Sequence, residues 1–70
     1  MNLDLQEPLT EREMQILQLI SNGRTLQEVA KITHLAEQTV KSYAQTLREK
    51  MNATTNIHVV AIAFRKQILR

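Results

Sequence analysis

Two short segments, Thr10-Glu11-Arg12-Glu13 and Thr25-Leu26-Gln27-Glu28, constrain this chain more than any other feature of it. In each, a hydroxyl residue is followed three positions later by glutamate. This is the capping-box pattern, in which the hydroxyl accepts the third helical amide and the carboxylate reaches back to the amide of the cap. Each segment therefore fixes the start of a helix. Two starts so close together leave room for one helix and a tight turn, and for nothing else. Gly23, the only glycine, follows Ser21-Asn22 where a left-handed residue is needed to end the first helix. No stretch alternates apolar and polar residues, so strands are not expected and the fold class is all-α.

The first helix carries Ile16, Leu17 and Ile20 as its buried stripe, with Leu9 before the cap as an apolar staple. The second carries Val29, Ala30 and Ile32 and stops near His34. A third follows over LAEQTVKSYAQTLREKM, residues 35–51. Val40, Tyr43, Ala44, Leu47 and Met51 share one side of it, and Asn52, which tolerates positive φ, closes it. The fourth begins at the cap Thr55 and is expected to run towards Leu69. It is apolar on two sides, one formed by Ile57, Val60, Ala61, Phe64 and Ile68, the other by Val59, Ile62 and Ala63. A four-helix domain this small buries one such side, so the other is expected to meet a partner.

At 70 residues the chain is one small domain, with residues 1–8 as an N-terminal extension and 9–70 as the folded unit. Without cysteine it has neither disulfides nor a thiolate metal site, which suits a reducing cytoplasm. The start MNLDLQEP lacks the basic and apolar regions of a signal peptide, and no apolar run is long enough to span a membrane. An initial Met and the absence of a linker favour a stand-alone protein. His34 and His58 have no partner at metal-ligand spacing, and the serines and threonines have no placed base. Neither a catalytic centre, a metal site nor a cofactor is expected. One Tyr, one Phe and no Trp make a poor stacking platform for single-stranded nucleic acid.

What remains is the outward side of the third helix. Gln38, Lys41, Ser42, Gln45 and Arg48 fall opposite its apolar stripe, with Thr39 and Lys50 on the flank. A helix of this kind fits the major groove of B-DNA when a second helix braces it from behind. Lys41 donates to guanine acceptors, Gln38 and Gln45 pair with adenine, and Ser42 adapts to either. Arg48, Thr39 and Lys50 are expected to hold phosphates, which fixes register without reading sequence. The net charge of +2 is small for a polyanion binder, so placement rather than excess carries the argument.

LTERE at 9–13, Ile16-Leu17, Gly23, QEVA at 27–30, TVKSY at 39–43 and Lys50-Met51 together resemble the LuxR/GerE-type helix-turn-helix family. The resemblance covers residues 9–69 and includes short stand-alone members that are GerE-like. It implies a four-helix DNA-binding domain of a bacterial transcription regulator. It also implies that Lys41, Ser42 and Gln45 meet bases and that Thr25, Gln27, Thr39 and Lys50 contact the DNA backbone. The last helix matches the family's dimer contact. Val59, Ile62 and Ala63, off the Val60–Phe64 stripe, are the expected interface. The leading expectation is a dimeric, sequence-specific, double-stranded-DNA-binding regulator, cytoplasmic and nucleoid-associated when bound. The alternative is an interaction module that pairs through the fourth helix with a full-length regulator of the same type and blocks it.

Overall fold

A computed structural model describes residues 8–69; of the N-terminal extension expected over 1–8, only Pro8 lies within them. Four helices follow one another: α1 (Glu11–Ser21), α2 (Leu26–Thr33), α3 (Glu37–Met51) and α4 (Asn56–Arg65). No strand occurs among the described residues. Both capping boxes form in full. The Thr10 and Thr25 hydroxyls each accept the third helical amide at 3.1 Å, and Glu13 and Glu28 accept the cap amides at 2.8 and 2.9 Å. Thr55 caps α4 through the His58 amide at 3.0 Å. Ala36 begins α3 without a side-chain cap, as the sequence implies.

The helices all end the same way. A residue with positive φ follows each last turn: Gly23 (86°), His34 (59°), Asn52 (55°) and Gln67 (61°). The amide after it then reaches back to a carbonyl five residues earlier. Arg24 reaches Leu19 (3.1 Å), Leu35 reaches Ala30 (3.1 Å), Ala53 reaches Arg48 (2.8 Å) and Ile68 reaches Ala63 (2.8 Å). These paired closures satisfy carbonyls that a helix end leaves open and turn the chain sharply within two residues. The last of them corrects the expected length of α4, which stops at Arg65 rather than running to Leu69. Past the turn, Leu69 folds back into the core.

α3 is the centre of the packing and touches each of the other three helices, whereas α2 and α4 do not pack on each other. Val40, Ala44, Leu47 and Met51, one turn apart, are all essentially inaccessible, and Tyr43 is half-buried beside them. Against this stripe lie Ile16 and Leu17 of α1, Val29 and Ala30 of α2, and Val59, Ile62 and Ala63 of α4. Leu9 and Met14, either side of the first cap, also pack on the core.

Two expected phases differ. In α2 it is Thr33, not Ile32, that turns inward; Ile32 is 44% exposed. On the helical wheel Thr33 falls between Val29 and Ala30, while Ile32 falls outside that arc. The buried hydroxyl of Thr33 is satisfied by donating to the Val29 carbonyl at 2.7 Å. In α4 the side expected to meet a partner is the core. Val59, Ile62 and Ala63 are 2%, 8% and 0% exposed, so they are closed to any second molecule. The opposite side, Ile57, Ala61 and Phe64, faces out, with Ile57 the most open of the large apolar residues among those described at 84%. The choice between two apolar arcs is made by how α4 docks on α1 and α3, which helical periodicity does not encode.

A charge on each side of α4 should therefore act in opposite ways. Ile62→Asp buries a carboxylate without a partner and is expected to abolish helical circular dichroism and cooperative melting. Phe64→Asp should keep both. A folded Ile62→Asp chain would show that α4 docks in another phase.

Candidate nucleic-acid interface

The outward surface of α3 follows from the packing of its inward one. With the Val40–Met51 stripe buried, Gln38, Thr39, Lys41, Ser42, Gln45 and Glu49 are all exposed. The expected base-reading residues Gln38, Lys41, Ser42 and Gln45 thus share one surface. Two donors on that surface have an acidic neighbour one turn away. Lys41 Nζ lies 3.9 Å from Glu37 Oε2, and Gln45 Nε2 donates to Glu49 Oε2 at 3.4 Å. Both pairs are open to water and worth at most about 1 kcal/mol, so a stronger partner displaces them readily. Glu49, an acidic residue on this surface, is not among the site residues expected from the sequence. Its one-turn spacing from Gln45 was the available signal.

α2 and its turn stand beside this surface. Thr25 and Gln27, at the start of α2, are exposed, as are Arg24 before it and Lys31 within it. Arg24 lies 3.9 Å from Glu28. The Glu28 carboxyl is held below its ordinary range chiefly by the Thr25 amide, against a small desolvation, with Arg24 helping. Where α2 meets the start of α3, Gln27, Ala30, Lys31, Leu35 and Glu37 line an open depression.

The two cations at the far end of α3 are not placed as expected. Lys50 was expected on phosphates, but its ammonium donates to Glu13 Oε1 at 2.7 Å and to the Pro8 carbonyl at 3.1 Å. The two side chains are only 12% and 6% exposed. The flank position of Lys50 turns it towards α1 rather than outward, so this charge is consumed inside the domain. Arg48, on the other flank, donates to Asn56 Oδ1 at 2.7 Å, which ties α3 to the first turn of α4. It is half-buried and only partly available for a phosphate. The sequence shows Glu13 as a cap, but nothing local in it places Lys50 beside Glu13 or Arg48 beside Asn56.

Burial by itself would raise the Glu13 carboxyl. The hydrogen bond from Lys50, that from the Thr10 amide, the Lys50 charge and the Thr10 hydroxyl together outweigh it and hold the group below the ordinary glutamate range. The unfolded chain, with its glutamate at roughly 4.3, therefore takes up this proton before the folded one does. The stability that the pair contributes is complete above that value and is lost as pH falls through the lowered one. Glu13→Gln, which keeps an oxygen for the cap and removes the charge, should cost about 2–3 kcal/mol at neutral pH. It should also flatten the acid limb of a denaturation series as pH falls below the ordinary glutamate range. An unchanged acid limb would mean that another carboxylate governs it.

Among the described residues no helix is long and apolar enough to cross a membrane, and no three His, Asp or Glu side chains gather as a metal site would require.

A short capped helix, a tight turn and a longer helix with an open polar side, all braced by a first and a fourth helix, define a four-helix helix-turn-helix domain. Residues 7–63 match the family described as bacterial regulatory proteins, luxR family, and the chain belongs to it. The response regulator protein VraR of Staphylococcus aureus is 36% identical over 67 residues, covering 96% of this chain and 32% of that protein. Among solved structures, the VqmA dimer of Vibrio cholerae in the absence of target DNA superposes with a TM-score of 0.82 at 29% identity, over 84% of this chain and 27% of that one. The VqmA–ligand–DNA complex gives 0.81 at 26% identity, over 94% and 29%. The chain thus spans about a third of the length of the relatives it matches.

Proposed function

We propose that this domain binds double-stranded DNA in a sequence-specific manner and serves a transcription regulator, with α3 in the major groove. The observation that carries this reading is the unbroken exposed row Gln38–Lys41–Ser42–Gln45, backed along its whole length by the buried Val40–Met51 stripe. The row offers the donors and acceptors that base edges require, on a helix too firmly packed to turn away from them. Thr25, Gln27 and Thr39 flank it as backbone contacts, with Arg48 in support. Lys50 is left out of that set. Family membership and the likeness to a VqmA–ligand–DNA complex support the reading.

The domain acts as a pair through α4, its partner a second copy. The surface used is Ile57, Ala61 and Phe64 with half-buried Val60 and Ile68, the reverse of the arc expected from sequence. A two-fold pair sets two copies of α3 about one DNA turn apart over a near-palindromic site. Likeness to a protein solved as a dimer supports this arrangement. A second reading takes the same apolar surface as a seat for a full-length LuxR-type regulator, which the domain would block. The balance of charge on and beside the outer side of α3, where Glu37 and Glu49 offset Lys41 and Arg48, favours that reading.

Selection from a random duplex pool decides between them, since an enriched palindrome supports DNA reading and no enrichment at low salt supports the blocking module. On the winning duplex, Lys41→Ala and Gln45→Ala should each cost about 1–3 kcal/mol and relax preference at particular base pairs. Lys41→Ala should also lower the salt slope by roughly one unit. Wild-type affinity and preference in both variants would remove α3 from the role. Folded Phe64→Asp should sediment as a monomer where the wild type is a dimer. A wild type that is monomeric at high concentration, both alone and on its DNA, would refute the pairing.

A further inference from the structure

The last turn of α3 has an attachment that apolar packing does not supply. Glu13 Oε1 accepts two hydrogen bonds, from the Thr10 amide at 2.8 Å and from the Lys50 ammonium at 2.7 Å. One carboxylate therefore closes the capping box of α1 and grips the end of α3, 37 residues further along. The ammonium also holds the Pro8 carbonyl, so the chain entering α1 joins the same cluster. These side chains are nearly closed to water, and salt screens such a pair weakly.

Resting on the proposed DNA-reading role of α3, we infer that Glu13 and Lys50 are positioning residues that set the roll of the recognition helix in the groove. The Val40–Met51 stripe decides which side of α3 faces in, but apolar contact is non-directional and permits small rotations about the helix axis. A charge-assisted hydrogen bond between two short-range partners does not. Base reading requires side chains placed to within about half an ångström. Lys50 braces the flank towards α1, and Arg48, on Asn56, braces the flank towards α4. Of the two, only the Lys50 brace is an ion pair with both side chains nearly buried. Lys50 acts on specificity without touching DNA.

The test uses the full chain as wild type, Lys50→Met and Lys50→Arg, at a temperature where circular dichroism shows each to be folded. Affinity is measured for the selected duplex and for a scrambled duplex of equal length. Lys50→Met should lose about 10- to 100-fold in the ratio of the two. Its affinity for scrambled DNA and its salt slope should stay as in the wild type, and Lys50→Arg should recover most of the ratio. A folded Lys50→Met that keeps the wild-type ratio overturns the inference, as does an equal loss on both duplexes. Where Lys50→Met does not fold, the double variant Glu13→Gln/Lys50→Met, which keeps the cap acceptor and leaves no unpaired charge, takes its place with the same two outcomes. A wild type without any duplex preference refutes the reading of α3 rather than the brace. The brace is then decided by amide exchange in the DNA-free chain. Faster exchange in the last turn of α3 and at Thr10 in the variant supports it, and unchanged exchange at both overturns it.

Discussion

Val40, Ala44, Leu47 and Met51 set four apolar side chains one turn apart along α3, and the burial of that row decides what every other part of the molecule faces. α1, α2 and α4 each pack on α3, so the domain has one core and α3 is its axis. Removing such a row from water supplies the main stabilisation available to so small a fold. The same burial forces Gln38, Lys41, Ser42 and Gln45 into solvent. Stability and the candidate function are thus two sides of one helix, and a change of phase in α3 would abolish both.

Compactness around this axis depends on how abruptly each helix ends. The left-handed closures let the chain reverse with three or four residues between helices, and threonine caps restart it at α2 and α4. α3 alone starts without a side-chain cap, and it packs on each of the other three helices. Its placement is supplied by tertiary contact where local chemistry is weakest: the apolar row, the Lys50–Glu13 pair and the Arg48–Asn56 hydrogen bond.

What was legible in the sequence was local, and what was not depended on distant partners. The capping boxes, Gly23, Asn52 and the Thr55 cap are patterns within four residues, so they could be read directly, as could the apolar side of α3. His34 and Gln67 adopt the same left-handed geometry as Gly23 and Asn52, which the histidine side chain signals only weakly and the glutamine side chain not at all. In α4 both arcs are apolar, and only docking distinguishes Val59, Ile62 and Ala63, which face inward, from Ile57, Ala61 and Phe64. In α2 a threonine took the inward place because its hydroxyl could bond to the preceding turn. Lys50 looked like a phosphate ligand for want of any sign that Glu13 was within reach. Its pairing with Glu13 takes one positive charge off the outward side of α3, where neutral donors and acceptors predominate.

The central claim is that the outer side of α3, and not the apolar side of α4, is where DNA is met. Titrating the isotopically labelled chain with its selected duplex and following backbone and side-chain amide resonances tests this most directly. The largest shifts are expected on Gln38, Lys41, Ser42 and Gln45, including the side-chain amides of the two glutamines. Shifts confined to Ile57, Ala61 and Phe64, with the α3 residues unmoved, would contradict it.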